Sequence, residues 1–181
     1  MKLRTHYLIA RTAARRCGLN SMKQLSFCIG SLIPDLSFSQ IFRPHFFVSS
    51  GYYVFTKLRK LSGKSSLIAF AELGKISHYA SDFCCSVHID GKVGNLREHL
   101  RYERRMDKFV YRNYPALSEK CTELTGSSSL NAVLAEYREC DKFDFTIDFI
   151  MAVQASEAVC RTAALSPNVS SGKSRDPYPT I

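Results

Sequence analysis

Apolar side chains recur every three to four residues along most of this chain, a spacing typical of helices with one buried face. Leu3, Tyr7 and Ala10 begin the first such stretch, which Gly18 ends. Strict apolar–polar alternation, the pattern of a half-buried strand, forms no run of useful length. We therefore predict an all-α fold, a compact multi-helix single domain. The further predicted helices are Met22 to Ile29, Ser65 to Cys85, Leu96 to Asn113, Leu130 to Tyr137 and Phe143 to Ala164.

Prolines predict where two of these helices end, because proline lacks the N–H that a helix interior needs. Pro34 is expected to break the second helix, and the segment from Gly30 to Gly51 is expected to be irregular. Pro115 is expected to close the helix that begins at Leu96.

The length of 181 residues and the hydrophobic content of 45% suit one domain with a buried core. We assign residues 1–165 to this domain. Residues 166–181 are rich in proline and serine and are predicted to be a disordered tail. The chain has no run of about 18 apolar residues, so no membrane-spanning helix is expected.

The first residues carry no recognisable export signal, because the apolar run from Tyr7 to Ala10 is far too short and Arg11 follows it. The seven cysteines are an odd number and show no C-x-x-C spacing. Reduced thiols in a cytoplasmic protein fit this usage better than a disulfide framework. Cys84 and Cys85 are expected to be small buried side chains, and a role as soft zinc ligands is the alternative.

Two histidines stand four residues before a carboxylate, in the pairs His78/Asp82 and His99/Glu103. Residues four apart lie on one face of a helix, so each pair can hold a zinc ion between an imidazole nitrogen and a carboxylate oxygen. His88 lies in a glycine-containing connection and can supply a further ligand. One such pair is usually an ordinary contact on a helix surface. Two pairs flanking a third histidine indicate a site for several zinc ions.

Small residues share the helix face of the first pair. Ala71 and Gly74 precede His78 and Asp82 at helical spacing, and they leave room for an ion. A close crossing with another helix explains Gly74 equally well.

The order of these residues resembles the bacterial zinc-dependent phospholipase C family, whose relatives include single-strand nucleases of the S1/P1 type. The resemblance covers about residues 5–105 and rests on several motifs in combination. It implies an all-α fold with three zinc ions at the base of a cleft. The resemblance rests on the motifs GSLIPDL (Gly30–Leu36), LGKISHYASDF (Leu73–Phe83) and EHLRYE (Glu98–Glu103). His6 and His45 also occur in the matching order.

The resemblance also implies which residues bind each ion. The implied ligands are Asp35, His45, His78 and Asp82 for one zinc, His88, His99 and Glu103 for a second, and a shared Asp82 with His6 and the first residue's amine and carbonyl for a third.

The amino terminus departs from the family pattern. Members commonly use a processed N-terminal Trp as a ligand, whereas this chain starts with Met1 and contains no Trp. Lys2 is too bulky for the usual removal of methionine, so Met1 is expected to remain. The third site is therefore predicted to bind zinc more weakly than the other two.

Together the resemblance and the ligands predict a zinc-dependent phosphodiester hydrolase of phospholipase C type, with two or three zinc ions that activate a water molecule. Asp82 is the expected bridge between ions, and Asp35 is either a ligand or a general base. Glu103 favours the phospholipase branch, because the nuclease branch usually has Asp there. The alternatives are a single-strand nuclease and a non-catalytic helical protein stabilised by zinc. A zinc with three protein ligands and an open position argues against the last.

Aromatic side chains near His45 are candidates for substrate binding. Phe42 and Phe46 could hold a choline-type headgroup by cation–π attraction, and packing beneath the irregular segment is the alternative.

The net charge of +9 fits either an anionic membrane surface or nucleic acid, besides the phospholipid or other phosphodiester substrate. A nuclease needs aromatic stacking platforms, for which Tyr102 and Tyr111 are the candidates. A solvated helix face is the simpler explanation of the densest basic stretch. That stretch consists of Arg97, Arg101, Arg104, Arg105 and Arg112.

Overall fold

Seven α-helices and a short 3-10 turn make up most of the part of the chain that the structure, a computed structural model, describes. The described residues are 1–37, 46–88, 96–124, 129–141 and 143–164. Within them no strand occurs, which confirms the all-α prediction. The helices are α1 (Leu3–Arg16), α2 (Ser21–Leu36), α3 (Phe47–Leu61), α4 (Leu67–Phe83), α5 (Leu96–Glu123), α6 (Leu130–Glu139) and α7 (Phe145–Arg161), followed by the 3-10 turn Thr162–Ala164.

Side-chain caps fix several helix starts. The Asn20 side chain accepts from the Lys23 amide at the start of α2, and Ser66 accepts from Ala69 at the start of α4. Asp144 accepts from two amides at the start of α7. These polar residues satisfy amides that have no partner inside the helix.

Both prolines expected to end a helix lie inside one instead. Pro34 is two residues from the end of α2, so it removes little more than the bond to the Gly30 carbonyl. Pro115 lies well inside α5, where the Tyr111 carbonyl lacks the N–H donor that another residue would supply. Tyr111 is exposed, so water can replace this donor. Buried residues on both sides of Pro115, such as Val110 and Leu117, hold the helix against the core. Packing therefore outweighs a local penalty of about 3 kcal/mol.

The segment from Gly30 to Gly51 is more regular than expected. Its first part, through Leu36, continues α2, and Phe47 to Gly51 form the first turn of α3. His45 and Phe42 lie outside the described residues, as does the predicted tail of residues 166–181.

The core lies around α4 and α7, which contact each other and are buried along most of their lengths. Phe149, Tyr79 and Leu73 are completely shielded from solvent. Helices α1 and α2 pack beside this pair, and α5 covers part of α1 and α7. None of the described helices is long and apolar enough to cross a membrane.

All seven cysteines are free thiols. Cys84 and Cys85 are completely buried, and neither belongs to a group of converging metal ligands within the described residues. They pack as small apolar side chains in the hydrophobic core.

Helices α2 and α4 touch backbone to backbone at two glycines. A Cβ atom built on Gly30 would lie 2.1 Å from the Ala71 carbonyl oxygen, and one on Gly74 would lie 2.1 Å from the Phe27 carbonyl oxygen. The close helix crossing thus accounts for Gly74. It also brings the end of α2 against the helix that bears His78.

Replacement of Gly74 by alanine is expected to lower the free energy of unfolding by about 1–3 kcal/mol, the usual cost of overpacking. The added methyl meets backbone that cannot rotate away, and this outweighs the gain of about 1 kcal/mol in helix propensity. Urea unfolding followed by circular dichroism measures the change. Gly51→Ala is the matched control, because its Cβ would meet the Phe47 ring at 3.3 Å, and a ring can shift. Equal stability of Gly74→Ala and the wild type would contradict the tight crossing.

Candidate metal centre

Two groups of three potential zinc ligands lie in the described part of the chain. His6, His78 and Asp82 form the first group, and each is almost completely buried. The second group consists of His88, His99 and Glu103. Within each group, the nitrogen and oxygen atoms that could bind a metal lie within 4.8 Å of one another.

The first group joins α1 to α4. The rings of His6 and His78 stack with centroids 3.8 Å apart. Their Nε2 atoms approach opposite oxygens of one carboxylate: His6 lies 3.4 Å from Asp82 Oδ1, and His78 lies 3.5 Å from Asp82 Oδ2. A carboxylate in this position can bind one ion with each oxygen, as the bridging role predicted for Asp82 requires.

Hydrogen bonds fix the tautomers of both rings. His78 Nδ1 lies 2.9 Å from the Ser31 carbonyl oxygen, which can only accept, so Nδ1 carries the proton. The Ser81 hydroxyl donates to the His78 carbonyl and therefore accepts from His6 Nδ1, 3.1 Å away. In both rings Nε2 faces Asp82, and the neutral form of each ring would present its lone pair there, as a metal-binding histidine does.

Asp35, at the end of α2, adds a further oxygen to this group. Its Oδ1 lies 3.6 Å from His78 Nε2. Ligands at about 2.0–2.2 Å from a tetrahedral zinc lie about 3.3–3.6 Å from one another. The separations from His78 Nε2 to Asp35 and Asp82 fall in or near this range. Three of the four ligands implied for one zinc are thus together, and His45 lies outside the described residues.

The second group also has a spacing close to that of zinc ligands. His88 and His99 stack with their centroids 4.7 Å apart, and their Nε2 atoms are 3.1 Å from each other. Glu103 Oε1 lies 3.3 Å from His88 Nε2 and 3.1 Å from His99 Nε2. These three atoms form a nearly equilateral triangle with edges of 3.1–3.3 Å, slightly shorter than those of a tetrahedral zinc shell.

The electrostatic state of this group also suits a cation. Burial lowers the pKa of His88, which favours the neutral imidazole that binds metal. Burial would raise the pKa of Glu103, but hydrogen bonds to His88 and His99 hold it far below its usual range. The carboxylate form of Glu103, which a metal ligand requires, is therefore favoured.

The Met1 amino group lies between the two groups, 2.7 Å from Asp82 Oδ1 and 3.1 Å from Glu103 Oε1. Burial lowers its pKa, but the two carboxylates prevail and raise it to about 11. Because α1 begins at Leu3 after an extended Lys2, the amine reaches this position without unwinding the helix. The Lys2 ammonium pairs with Glu103, and Arg4 pairs with Asp107 outside both groups.

An open cavity of about 940 Å³ adjoins the centre. Asp35, His88, His99 and Glu103 line it together with Phe46, whose ring lies edge-on to His88 with centroids 5.8 Å apart. Phe46 therefore lines the same cavity as several predicted ligands, and its role in substrate binding stays a prediction.

One buried carboxylate that the sequence did not single out supports the second group. Asp148 in α7 is completely shielded and accepts hydrogen bonds from the Ser86 amide and hydroxyl at 3.0 and 2.8 Å. It also accepts from the hydroxyls of Tyr102 and Tyr137, at 2.7 and 2.5 Å. Ser86 is two residues before His88, and Tyr102 directly precedes Glu103. Asp148 thus joins both segments that carry the second group, and an acidic residue among the apolar positions of α7 was the available signal.

The first and second groups keep the order along the chain that the family resemblance requires. The sequence pattern of one family, described as zinc-dependent phospholipase C, matches residues 5–154. No curated protein and no solved structure matches the chain. Since the match spans most of the 181 residues, the chain belongs to the zinc-dependent phospholipase C family.

Proposed function

We propose that this protein hydrolyses the headgroup phosphodiester of a phospholipid. The proposal rests mainly on the first and second groups, whose ligand atoms are spaced closely enough to share an ion. An open cavity lies beside them. Family membership supports the same class of reaction. Zinc bound there would polarise the phosphate oxygens and lower the pKa of a water molecule toward neutrality.

The chain's own residues divide the remaining tasks. His78, Asp82 and Asp35 would hold one ion, and His88, His99 and Glu103 would hold a second. The two oxygens of Asp82 face different nitrogens, so this carboxylate can connect neighbouring ions. The bonds to Ser31 and Ser81 keep the rings of His78 and His6 in place and cost no reorganisation during the reaction.

Asp35 is proposed as a proton acceptor, as a ligand, or as both. Its side chain is 23% exposed and lines the cavity, whereas Asp82 is completely buried. A carboxylate at the cavity wall can accept a proton from a water molecule that attacks the phosphorus. Phe46 contributes an apolar wall beside His88, where a choline-type headgroup would find an aromatic face.

Hydrolysis of a soluble, short-chain phosphatidylcholine is expected to exceed cleavage of single-stranded DNA, to stop with a chelator and to return with zinc. Asp35→Asn is expected to lower the rate on the order of 10²- to 10⁴-fold, the usual worth of a positioned acid or base. Asp141→Asn, on an exposed residue away from the centre, is the matched control. Faster degradation of DNA than of every phospholipid analogue would favour a nuclease instead.

A further inference from the structure

Five cations form one continuous stripe along α5. Arg97, Arg101, Arg104 and Lys108 follow one another at spacings of four, three and four residues, and so lie on one face. Arg105 lies four residues after Arg101 and three before Lys108, and so borders the same face. At a rise of about 1.5 Å per residue the stripe is about 16 Å long. All five residues are exposed. We call this set the basic stripe.

The basic stripe lines a groove of about 340 Å³, and no acidic residue of the described chain takes part in the lining. None of the five cations forms an ion pair with a described carboxylate, whereas nearby Arg4 pairs with Asp107. Glu98 is exposed on the same helix but does not line the groove. Five like charges in one concave surface repel one another, and an anionic partner relieves that repulsion.

The groove leads directly to the metal centre. Arg104 and Lys108 line both the groove and the larger cavity that contains His99 and Glu103. An anionic surface that covers the basic stripe therefore also covers the mouth of that cavity. Leu96, 73% exposed, and Leu3, 38% exposed, place apolar side chains at the same mouth.

We propose that the basic stripe docks the protein on an anionic lipid bilayer. The inference rests on the proposed function, because it identifies the surface on which the enzyme would find its phospholipid. Lys and Arg side chains are attracted to an anionic leaflet by about 1 kcal/mol each, and the exposed leucines suit the interface between headgroups and acyl chains. The stripe thus brings the cavity mouth to the membrane.

The aromatic residues nearby favour lipid over nucleic acid. A groove for single strands needs exposed aromatic rings on which bases stack. The described lining of this groove contains none. The Tyr102 hydroxyl donates to Asp148 and its ring packs on Phe145. The Tyr111 ring is exposed but does not line the groove, and the Arg4 guanidinium lies 4.0 Å from its centroid.

Vesicle binding tests the proposal. The zinc-loaded full chain is sedimented with phosphatidylcholine vesicles that either contain or lack phosphatidylglycerol, before measurable headgroup release. The triple variant Arg97→Gln, Arg101→Gln, Arg105→Gln removes three charges that do not line the larger cavity. Since each charge is worth about five-fold in affinity, the variant is expected to bind anionic vesicles on the order of 100-fold more weakly.

The matched control removes the same charge from another helix. Lys57→Gln, Arg59→Gln, Lys60→Gln changes three exposed cations on α3 and is expected to retain most of the binding. Equal losses of vesicle binding in the two triple variants would overturn the proposal. Wild-type binding that is equally tight with and without phosphatidylglycerol would also overturn it. Tighter binding of single-stranded DNA than of anionic vesicles at the same salt concentration would overturn it in favour of a nucleic-acid groove.

Hydrolysis of soluble, short-chain phosphatidylcholine separates this inference from the proposed function. The arginine variant is expected to keep the wild-type rate on this monomeric substrate while losing hydrolysis on anionic vesicles. If vesicles are bound through the basic stripe but no phosphodiester is cleaved, the docking surface stands and the proposed function fails. If the soluble ester is cleaved and the arginine variant binds vesicles like the wild type, the proposed function stands and the docking surface fails.

Discussion

Replacement of His99 by alanine is expected to remove one zinc ion and to leave a second in place, and His78→Ala is expected to do the converse. His99, on α5, belongs to the second group, and His78, on α4, belongs to the first group. Each group has its own three converging ligand atoms. Either change is expected to lower hydrolysis at least on the order of 100-fold, because even partners that only orient a ligand are worth about 10- to 100-fold. Metal analysis of protein purified without chelator measures the ion count, and an ester assay measures the rate.

Lys120→Ala, an exposed change on the same helix as His99, is the control and is expected to retain both ions. One ion or none in the wild-type protein would rule out a centre with several zinc ions. Loss of all zinc from both histidine variants would mean that the two groups act as one site.

Removal of the Asp148 carboxylate is the second change with a large expected effect. Asp148→Ala leaves the buried hydroxyls of Ser86 and Tyr137 and the partly buried hydroxyl of Tyr102 without their acceptor. Each buried donor left without an acceptor costs about 1–3 kcal/mol, so the change is expected to cost at least about 3 kcal/mol, which urea unfolding measures. Asp148→Asn keeps one acceptor oxygen and is expected to cost less.

Zinc affinity distinguishes a positioning role for Asp148 from a purely structural one. Because Asp148 joins the segments of His88 and Glu103, we expect Asp148→Asn to lower the zinc affinity of the second group about 10- to 100-fold. The first group is expected to keep its ion. Tyr102→Phe and Tyr137→Phe form a matched pair, since each removes one hydroxyl from Asp148 but only Tyr102 adjoins Glu103. Equal zinc losses in the two tyrosine variants, or from both groups in Asp148→Asn, would argue against positioning.

The local part of the metal centre could be predicted from the sequence because helix geometry alone determines it. His78 and Asp82, like His99 and Glu103, are four residues apart, and in helices this places their side chains together. The stacking of His6 on His78 and the bond from His78 to the Ser31 carbonyl depend on how α1, α2 and α4 pack. Such contacts leave no periodic trace in the sequence.

The errors have the same origin. Proline has a well-defined local cost, so Pro34 and Pro115 were reasonable predicted helix ends. The core contacts on either side of Pro115 exceed that cost, and they become visible only in the fold. An acidic residue among the apolar positions of α7 was the signal for Asp148, but the sequence does not show that the tyrosines of α5 and α6 converge on it.

The position of Asp148 late in the chain bears on the order in which a nascent polypeptide becomes able to hold metal. The eight side chains predicted as ligands run from His6 to Glu103, so every one of them is synthesised before α7. Ser86 and Tyr102 receive their common anchor only when α7 folds against α5. The pocket of His88, His99 and Glu103 is therefore completed last. A ribosome-bound chain that ends before Asp148 contains all eight ligand side chains but lacks the carboxylate that links the two segments of this pocket.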